Sequence, residues 1–225
     1  IHGGGRDLIF PHHENEIAQS RCANENETFA NFWVHNGFIT ISNEKMSKSQ
    51  GNVLTIDNLK NKVNGQVIRL ALISAHYKQP LDWNEKLISE SQSTLDKWYN
   101  QFEKINQKEL TEDVTKPLQE DLNTPEYIAK LHSLYEESSK GNKSSKLKFL
   151  SACQLIGLLE DKNSWDSFKK SRAKVDENFI NKKINDRNEA RVKGDYKLAD
   201  TLRKELEDND VIIEDKQDKT IWKYK

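Results

Sequence analysis

The sequence predicts a mixed α/β segment, then a helical bundle, then a small α+β domain at the end. Six of the nine glycines lie within the first 65 residues, among short β-prone runs, which is typical of strands joined to helices by tight turns. Between about residues 84 and 165, apolar residues recur at three- and four-residue steps, as they do along amphipathic helices. After that, charged helical stretches precede two short apolar runs. We therefore expect three domains, at 1–82, 83–165 and 176–225.

The first segment contains short strands and two helices. The runs 33–35 and 38–41 predict strands, and Ser42-Asn43 after them predicts a tight turn. A helix is expected from His12 to about Ala23, because Pro11 suits the start of a helix, and a second, buried helix is expected over 66–77.

The rest of the sequence is mainly helical. Three apolar stripes, whose spacing is helical, predict a small antiparallel bundle interrupted at Pro117 and Pro125; they lie at 87–105, 127–135 and 147–159. Two charged helices over 179–192 and 195–208 and two strands at 211–213 and 220–222, forming a hairpin, are expected in the end domain.

The composition describes a polar and nearly neutral protein. The 225 residues include 35 Lys+Arg and 36 Asp+Glu, a formal net charge of −1, which argues against a general polycation for nucleic acid or anionic membranes. Mean hydropathy is −0.89, yet 5 Trp, 6 Tyr and 8 Phe favour packed cores over disorder. No apolar run predicts a membrane span. The two cysteines, Cys22 and Cys153, make no disulfide framework, so we expect a cytoplasmic protein.

The start of the chain is unusual. It opens on Ile1-His2 and three glycines, without an initiator methionine or a signal-peptide pattern. Because this start lies inside a glycine-rich turn, we expect the sequence to be a piece of a longer protein whose upstream half is absent.

A first candidate site lies at the start of the first predicted helix. His12 and Glu16 are four residues apart and share a helix face, and imidazole and carboxylate groups both suit zinc. The His-Glu-x-x-His pattern of zinc proteases is absent, because Ile17 stands at its last position. Cys22 lies on another face of the helix. Spacing alone therefore leaves two interpretations open, half of a metal site or a surface pair that stabilises the helix.

A second candidate site is the polar segment from Lys45 to Asn52. It has two lysines and two serine hydroxyls within five residues, groups that bind phosphate oxygens, and its Met46 is suited to fixing a loop against an apolar surface. Such a loop could stabilise the charge that builds on a departing pyrophosphate. Taken alone, the pattern is more typical of an ordinary lysine-rich surface loop.

The third candidate is a basic stretch between Phe168 and Lys204. It carries twelve Lys/Arg against six Asp/Glu, a local balance of +6 that leaves −7 for the remainder, and so could engage a phosphate backbone. Arg187 and Arg191, one helical turn apart, would project together, and Trp222 and Lys223 are further candidates. A solvated helix face is the alternative.

These motifs together resemble a known family. Lys45-Met46-Ser47-Lys48-Ser49 matches the signature loop of class I aminoacyl-tRNA synthetases, and the block from Phe10 to Glu16 resembles the cysteinyl-tRNA synthetases in particular. Further segments resemble that family in the expected order, up to nearly the last residue: 1–8, 33–38, 75–77, 121–125, 187–200, 213–215 and 220–222.

The resemblance implies a fold, a chemistry and site residues. The first segment would be the second half of a Rossmann-type catalytic domain, and the later domains would bind the anticodon arm. His12 and Glu16 would bind zinc, with two further ligands from upstream cysteines that this sequence lacks. His2 would contact the substrate. Lys45, Ser47 and Lys48, with Gly4 and Asp7, would bind ATP, and both lysines would act in catalysis.

The implied reaction joins L-cysteine to tRNA(Cys) through cysteinyl-adenylate, with ATP and Mg2+ as substrate and zinc selecting the thiolate. The tRNA would contact Arg187, Arg191 and Trp222. The family's His-x-Gly-His nucleotide motif is missing, so we expect this chain to be inactive alone; we also expect a monomer.

Two alternatives are open: the related ligase that joins cysteine to an amino sugar, which needs no end domain of the kind at 176–225, and a tRNA-binding module without chemistry.

Overall fold

The computed structural model describes the whole chain except residues 26, 42–43, 46–53, 61, 217–219 and 225, and except the side chains of Glu44, Lys45 and Lys223. The described residues form two compact units, Ile1–Glu160 and Asp161–Lys225. The first unit contains five strands and seven helices: β1 His2–Gly5, α1 Glu14–Ala23, β2 Trp33–Asn36, β3 Ile39–Ile41, β4 Glu44–Lys45, α2 Ile56–Lys60, α3 Gly65–Ile73, β5 Leu81–Trp83, α4 Glu85–Tyr99, α5 Glu112–Gln119, α6 Thr124–Ser139 and α7 Lys143–Leu155. The second unit contains α8 Lys162–Ser171, α9 Glu177–Val192, α10 Tyr196–Asp208, β6 Val211–Asp215 and β7 Thr220–Tyr224.

Two small sheets lie in the first unit. Strands β1 and β2 run parallel, with His2 opposite Trp33, and β3 pairs with β4 on one side and with β5 on the other. The predicted strands at 33–35 and 38–41 are confirmed as β2 and β3, whereas the predicted turn at Ser42-Asn43 lies outside the described residues.

Gly37 joins the two sheets at a close backbone crossing. A Cβ atom there would lie 2.3 Å from the carbonyl oxygen of Gln79, and the Gly37 amide donates to the carbonyl of Tyr77 at 2.8 Å. A residue with a side chain does not fit, so the short link between β2 and β3 requires glycine.

The bundle of the first unit is built on buried aromatic and aliphatic side chains. Trp98, Tyr127 and Phe149 from three helices are almost completely buried, and the Trp98 and Phe149 rings meet edge to face at 5.6 Å. The predicted bundle helices are confirmed as α4, α6 and α7, but α4 ends at Tyr99 although its apolar pattern continues to Ile105. Beyond the end of α4, the Phe102 ring packs back against Tyr99 at 5.8 Å.

Asparagine and aspartate side chains fix the starts of these helices. The Asn84 side chain accepts a hydrogen bond from Leu87 N at the start of α4, and Asp176 does the same for Phe179 N at the start of α9. Five more helices begin at such a residue: Asn64, Asn123, Asn142, Asp161 and Asp195. These caps are local, and the observed starts of α4 and α9 lie within two residues of the predicted ones.

The second unit has its own core. Ile180 and Ile184 of α9, Leu206 of α10, and Val211 and Ile213 of β6 form one buried cluster. The predicted pair of charged helices and the hairpin are confirmed, with β6 and β7 antiparallel. Within the part of the chain that the structure describes, none of the helices is both long and apolar enough to cross a membrane.

Candidate functional site

A cluster of histidines and one glutamate lies where β1, β2 and the start of α1 meet. After β1 the chain makes two irregular turns, in which Phe10 is extended and precedes a cis peptide bond to Pro11, and then enters α1. Because β1 and β2 are parallel and in register, His2 and Trp33 lie side by side, and His35 follows on the same face. The sheet therefore brings residues about 30 positions apart to the first turn of α1.

Glu16 is the centre of this cluster. His2 Nε2 lies 2.9 Å from Glu16 Oε2, and His12 Nε2 lies 3.3 Å from Glu16 Oε1. Oε2 is buried and has no partner in hydrogen-bond geometry, even though His2 is close. The predicted pair of His12 and Glu16 does share a face, and the structure adds His2 to it. A buried carboxylate oxygen without a hydrogen bond is suited to a cation.

His13 was not singled out from the sequence, yet it is the buried histidine of the cluster. Its Nδ1 lies 2.9 Å from His35 Nε2, and its ring meets that of His2 edge to face at 4.7 Å. Burial lowers the pKa of His13, and electrostatic repulsion from the neighbouring His2 lowers it further. The neutral imidazole that this favours is the form that binds metals and shares a single proton with a second imidazole. His2, His13 and Glu16 each offer a ligand atom, and these atoms lie within 4.8 Å of one another.

The absence of a side chain at Gly4 leaves the space that the His13 ring occupies. A Cβ atom on Gly4 would lie 2.8 Å from Leu8 Cδ1 and 3.1 Å from the Cε1 atom of the His13 ring. The glycine is therefore needed for packing within the chain. The other residue predicted beside ATP, Asp7, is exposed in the turn after β1, and its carboxylate lies against Gly5.

Gly4→Ala is expected to destabilise the β1–α1 region by about 1–3 kcal/mol, the usual cost of forcing extra volume into a packed site. Gly65→Ala is the matched control, because nothing lies within 4 Å of its added methyl group. We expect that change to be neutral or to stabilise α3 by up to about 1 kcal/mol. Hydrogen exchange of β1 and α1 measures the effect, and unchanged exchange in Gly4→Ala would contradict the packing argument.

The described residues include only the first part of the predicted phosphate loop. The backbone of Lys45 ends β4 and pairs with Thr40 of β3, but its side chain, Ser47, Lys48 and Met46 lie outside the described residues. Their assignment to ATP therefore stays a prediction.

In the second unit the structure gives Arg187 a different setting from the expected one. The spacing predicts that Arg187 and Arg191 project together; they do lie together, but on Asp215, and Arg187 is buried. The Arg187 guanidinium donates twice to Asp215, at 3.0 and 2.7 Å, Arg191 donates at 2.9 Å, and the Thr220 hydroxyl donates at 2.8 Å. Hydrogen bonds from Arg187 hold the pKa of the Asp215 carboxyl well below its usual range. This network joins α9 to both strands of the hairpin.

The second unit as a whole is closer to electrical neutrality than the basic stretch between Phe168 and Lys204. Residues 161–225 contain 17 Lys/Arg and 15 Asp/Glu, since the end of the chain is acidic. Several lysines are paired with acids inside the unit, among them Lys183 with Glu205 at 2.7 Å and Lys174 with Asp210 at 2.7 Å. Trp222, the other predicted tRNA contact, donates from Nε1 to Asn181 at 3.2 Å.

A shallow surface at the end of α9 is a feature that sequence reasoning missed. Asn188, Arg191, Val192 and Tyr196 line one concavity there, and Val192 and Tyr196 are 89% and 67% exposed. An exposed aromatic ring beside an arginine is the arrangement that stacks on a nucleobase and contacts its phosphate. The signal in the sequence is Tyr196, an aromatic residue two positions after Gly194 in an otherwise charged stretch.

Comparisons with known proteins show what this chain is similar to. Residues 1–93 match the family described as tRNA synthetases class I (C) catalytic domain. The chain is 56% identical to a cysteine--tRNA ligase of Pelagibacter ubique (strain HTCC1062), with 100% of this chain and 50% of that protein covered. It is 43% identical to a cysteine--tRNA ligase of Rickettsia bellii (strain OSU 85-389), with 99% and 50% covered.

Among solved structures, the chain resembles the leucyl enzyme in a ternary LeuRS–tRNA–LeuAMS complex of Agrobacterium radiobacter K84, at 18% identity and a TM-score of 0.49, over 68% of this chain and 24% of that one. The chain spans about half the length of the curated relatives it matches. The sequence relatives nevertheless cover both of its units, from the histidine cluster to the hairpin. Over its whole length the chain is similar to cysteine--tRNA ligases, and its first 93 residues match the class I (C) catalytic-domain family.

Proposed function

We propose that this chain supplies the zinc helix, the phosphate loop and a tRNA-binding surface of an enzyme that ligates L-cysteine to tRNA(Cys) with ATP. The observation that carries the proposal is the convergence of His2 and His12 on the Glu16 carboxylate, whose Oε2 atom is buried, in a chain 56% identical over its whole length to a cysteine--tRNA ligase. Relatives that cover 99% or more of the chain include its second unit, which favours this reading over an amino-sugar ligase.

The residues present fit a zinc ion. Glu16 offers a buried oxygen without a hydrogen bond, and the exposed His12 can turn its imidazole toward the same point. Zinc bound there would distinguish the thiolate of cysteine from the hydroxyl of serine, because a soft thiolate is the better ligand. In our proposal His12 and Glu16 hold the ion, while His2 orients Glu16 and the His13–His35 pair lines the pocket.

The reaction that we propose has two steps. A carboxylate oxygen of cysteine attacks the α-phosphate of ATP, pyrophosphate leaves, and cysteinyl-adenylate remains. The terminal ribose hydroxyl of tRNA(Cys) then attacks the carbonyl carbon, and AMP leaves. Neither step needs a nucleophile from the protein, so catalysis consists of positioning and charge stabilisation. Lys45, Ser47 and Lys48 would bind the phosphates, with Mg2+ bound to ATP.

The test uses a fused protein in which this chain is joined to the half of the Pelagibacter ubique ligase that it does not match. We expect cysteine-dependent exchange of pyrophosphate into ATP, and no exchange with serine. Absence of exchange in a folded fused protein that binds ATP would overturn the ligase proposal. The 225-residue chain alone is expected to show none.

The surface at the end of α9 is the part that we assign to tRNA. Tyr196→Ala is expected to weaken tRNA(Cys) binding by about 5- to 150-fold, since stacking on one base contributes about 1–3 kcal/mol. Arg191→Gln should also lower the slope of log affinity against log salt by about 0.7–0.9, the loss of one phosphate contact.

Filter binding or fluorescence anisotropy at several salt concentrations measures both effects. Lys86→Gln in α4 is the control, because this exposed lysine lies in the other unit and is paired only loosely with Glu90. Affinities and slopes that stay equal in all three variants would show that the surface is only a solvated helix face.

A further inference from the structure

Asp121 joins the helical bundle to the loop between α3 and β5. Its carboxylate accepts a hydrogen bond from the Tyr77 hydroxyl at 2.7 Å on Oδ1 and one from the Lys78 ammonium on Oδ2. The His76 imidazole accepts from the Lys78 amide at Nδ1, so its Nε2 carries the proton and donates to the Asp121 carbonyl at 2.9 Å. One residue of the turn between α5 and α6 therefore holds three consecutive residues of the loop at 74–80.

The backbone of this turn adopts a conformation that non-glycine residues rarely take. Asp121 and Leu122 have φ angles of 55° and 53°. An aspartate tolerates this left-handed region, but a leucine enters it at a steric cost, and such residues persist where their surroundings hold them. The Lys78–Asp121 ion pair adds little stability in return, because its side chains are 45% and 54% exposed. The turn is therefore better suited to positioning the loop than to stabilising the fold.

The loop in turn fixes the link between the two small sheets. The Gly37 amide donates to the carbonyl of Tyr77, and the carbonyl oxygen of Gln79 lies only 2.3 Å from where a Cβ atom of Gly37 would be. Gly37 lies between β2, which carries His35 of the histidine cluster, and β3, which pairs with β4 at Lys45. A shift of the loop therefore moves one of the proposed substrate sites relative to the other.

We infer that Asp121 is a positioning residue for the activation step: through the loop and Gly37 it sets the position of the cysteine pocket on β2 relative to β3 and β4. The inference rests on the proposed function, in which the cysteine carboxylate attacks the α-phosphate of ATP. A misplacement of about 1 Å that originates far from the reacting atoms can cost about 100-fold in rate. Loss of the Asp121 carboxylate should slow adenylate formation but leave the binding of each substrate intact, because the described partners of Asp121 belong to neither site.

The experiment compares Asp121→Gly with Leu122→Gly in the fused protein. Glycine adopts a positive φ without strain, so both changes keep the turn and only the first removes the carboxylate. Single-turnover formation of cysteinyl-adenylate gives a rate constant, which reports positioning, and an amplitude, which reports the fraction of folded and active molecules.

For Asp121→Gly we expect a rate constant at least about tenfold lower, at unchanged amplitude and unchanged half-saturating concentrations of cysteine and ATP. Leu122→Gly should match the wild type, because the Leu122 side chain is 57% exposed. Asp121→Asn should lie between wild type and Asp121→Gly, since asparagine tolerates the same φ and keeps an acceptor for the Tyr77 hydroxyl.

Hydrogen exchange of the Gly37 amide in the 225-residue chain, measured by NMR, tests the same contact without catalysis. We expect faster exchange in Asp121→Gly and no change in Leu122→Gly. Two results would overturn the inference: equal Gly37 exchange in Asp121→Gly and wild type, and an adenylate rate constant that stays unchanged while only the amplitude falls. A wild-type fused protein that forms no adenylate removes the ligase proposal, and Gly37 exchange then decides by itself whether Asp121 positions the loop.

Discussion

Replacing Glu16 by alanine is expected to abolish stoichiometric zinc binding in the fused protein and, with it, cysteine-dependent pyrophosphate exchange. Glu16 contacts two histidines through its two oxygens, Oε2 is buried without a hydrogen bond, and Glu16 is the carboxylate of the described group His2, His13 and Glu16. Substituting an outer-shell partner of a metal ligand costs about 10- to 100-fold in affinity, and loss of a ligand should cost at least about 100-fold. Zinc content after dialysis and exchange kinetics measure the two effects.

Glu14→Ala is the matched control for this change. Glu14 lies in the same first turn of α1, is exposed, and should matter only through the helix dipole, by about 0.3–1 kcal/mol of stability. If the double variant His12→Ala and Glu16→Ala still retains one zinc ion per chain, the metal assignment is wrong.

His2 and His12 can be separated in the same assay. Both contact Glu16, and His2 also shares its ring contacts with His13 and Trp33. If His12 is the ligand, His12→Ala loses zinc as Glu16→Ala does, whereas His2→Ala keeps zinc and loses affinity for cysteine. The reverse pattern would favour the set of His2, His13 and Glu16, whose ligand atoms lie within 4.8 Å of one another.

The sequence predicts the contacts of this site that join residues close together in the chain, and it misses those that join distant segments. His12 and Glu16 are one helical turn apart, and four-residue spacing alone brings them together. His2 and His35 reach the site only because β1 and β2 pair in parallel, a contact between segments about 30 residues apart that no spacing rule contains. His13 was passed over because its burial depends on Gly4 and on the turns before α1.

The same distinction explains the fold. The observed starts of α3, α4, α6, α7, α9 and α10 lie within four residues of the predicted ones, whereas β1, β5, α5 and α8 are not predicted. Strand β1 is largely glycine, which has no strand propensity of its own, and it becomes a strand through its partner β2. The three residues of β5 are too few to form a pattern, and α5 contains Pro117, which the sequence presents as an interruption.

The sequence contains a signal for the buried position of Arg187. Ile180, Ile184 and Arg187 follow each other at steps of four and three residues, so the arginine stands on the apolar face of α9. The charge count between Phe168 and Lys204 does not reveal the buried position of Arg187, because its partner Asp215 lies outside that stretch. An arginine on the buried face of a helix predicts an anion that lies beside it in the folded chain.

The second large effect is expected from Asp215→Ala, which leaves the Arg187 guanidinium buried without its carboxylate. Removing one partner of a buried pair costs about 3–5 kcal/mol, and we expect the lower end because the Asp215 side chain is 38% exposed to screening water. The loss should appear as faster hydrogen exchange in α9, β6 and β7, with the first unit of the same chain as reference. Arg191→Gln is the control, because this exposed arginine holds only one edge of Asp215 and should cost less than about 1 kcal/mol.

The pH dependence of the second unit tests the same network independently. Arginine holds the pKa of Asp215 below that of the unfolded chain, so the ionised carboxylate stabilises the folded state. This contribution is complete above the unfolded-state pKa of about 3.9 and is lost as pH falls from there through the lower folded-state pKa. Hydrogen exchange of the hairpin should therefore accelerate in acid beyond its intrinsic pH dependence in the wild-type chain. In Asp215→Asn this excess should disappear, because the asparagine keeps the shape of the side chain but has no proton to take up. An equal acid response in both chains would mean that Arg187 is stabilised by something other than this carboxylate.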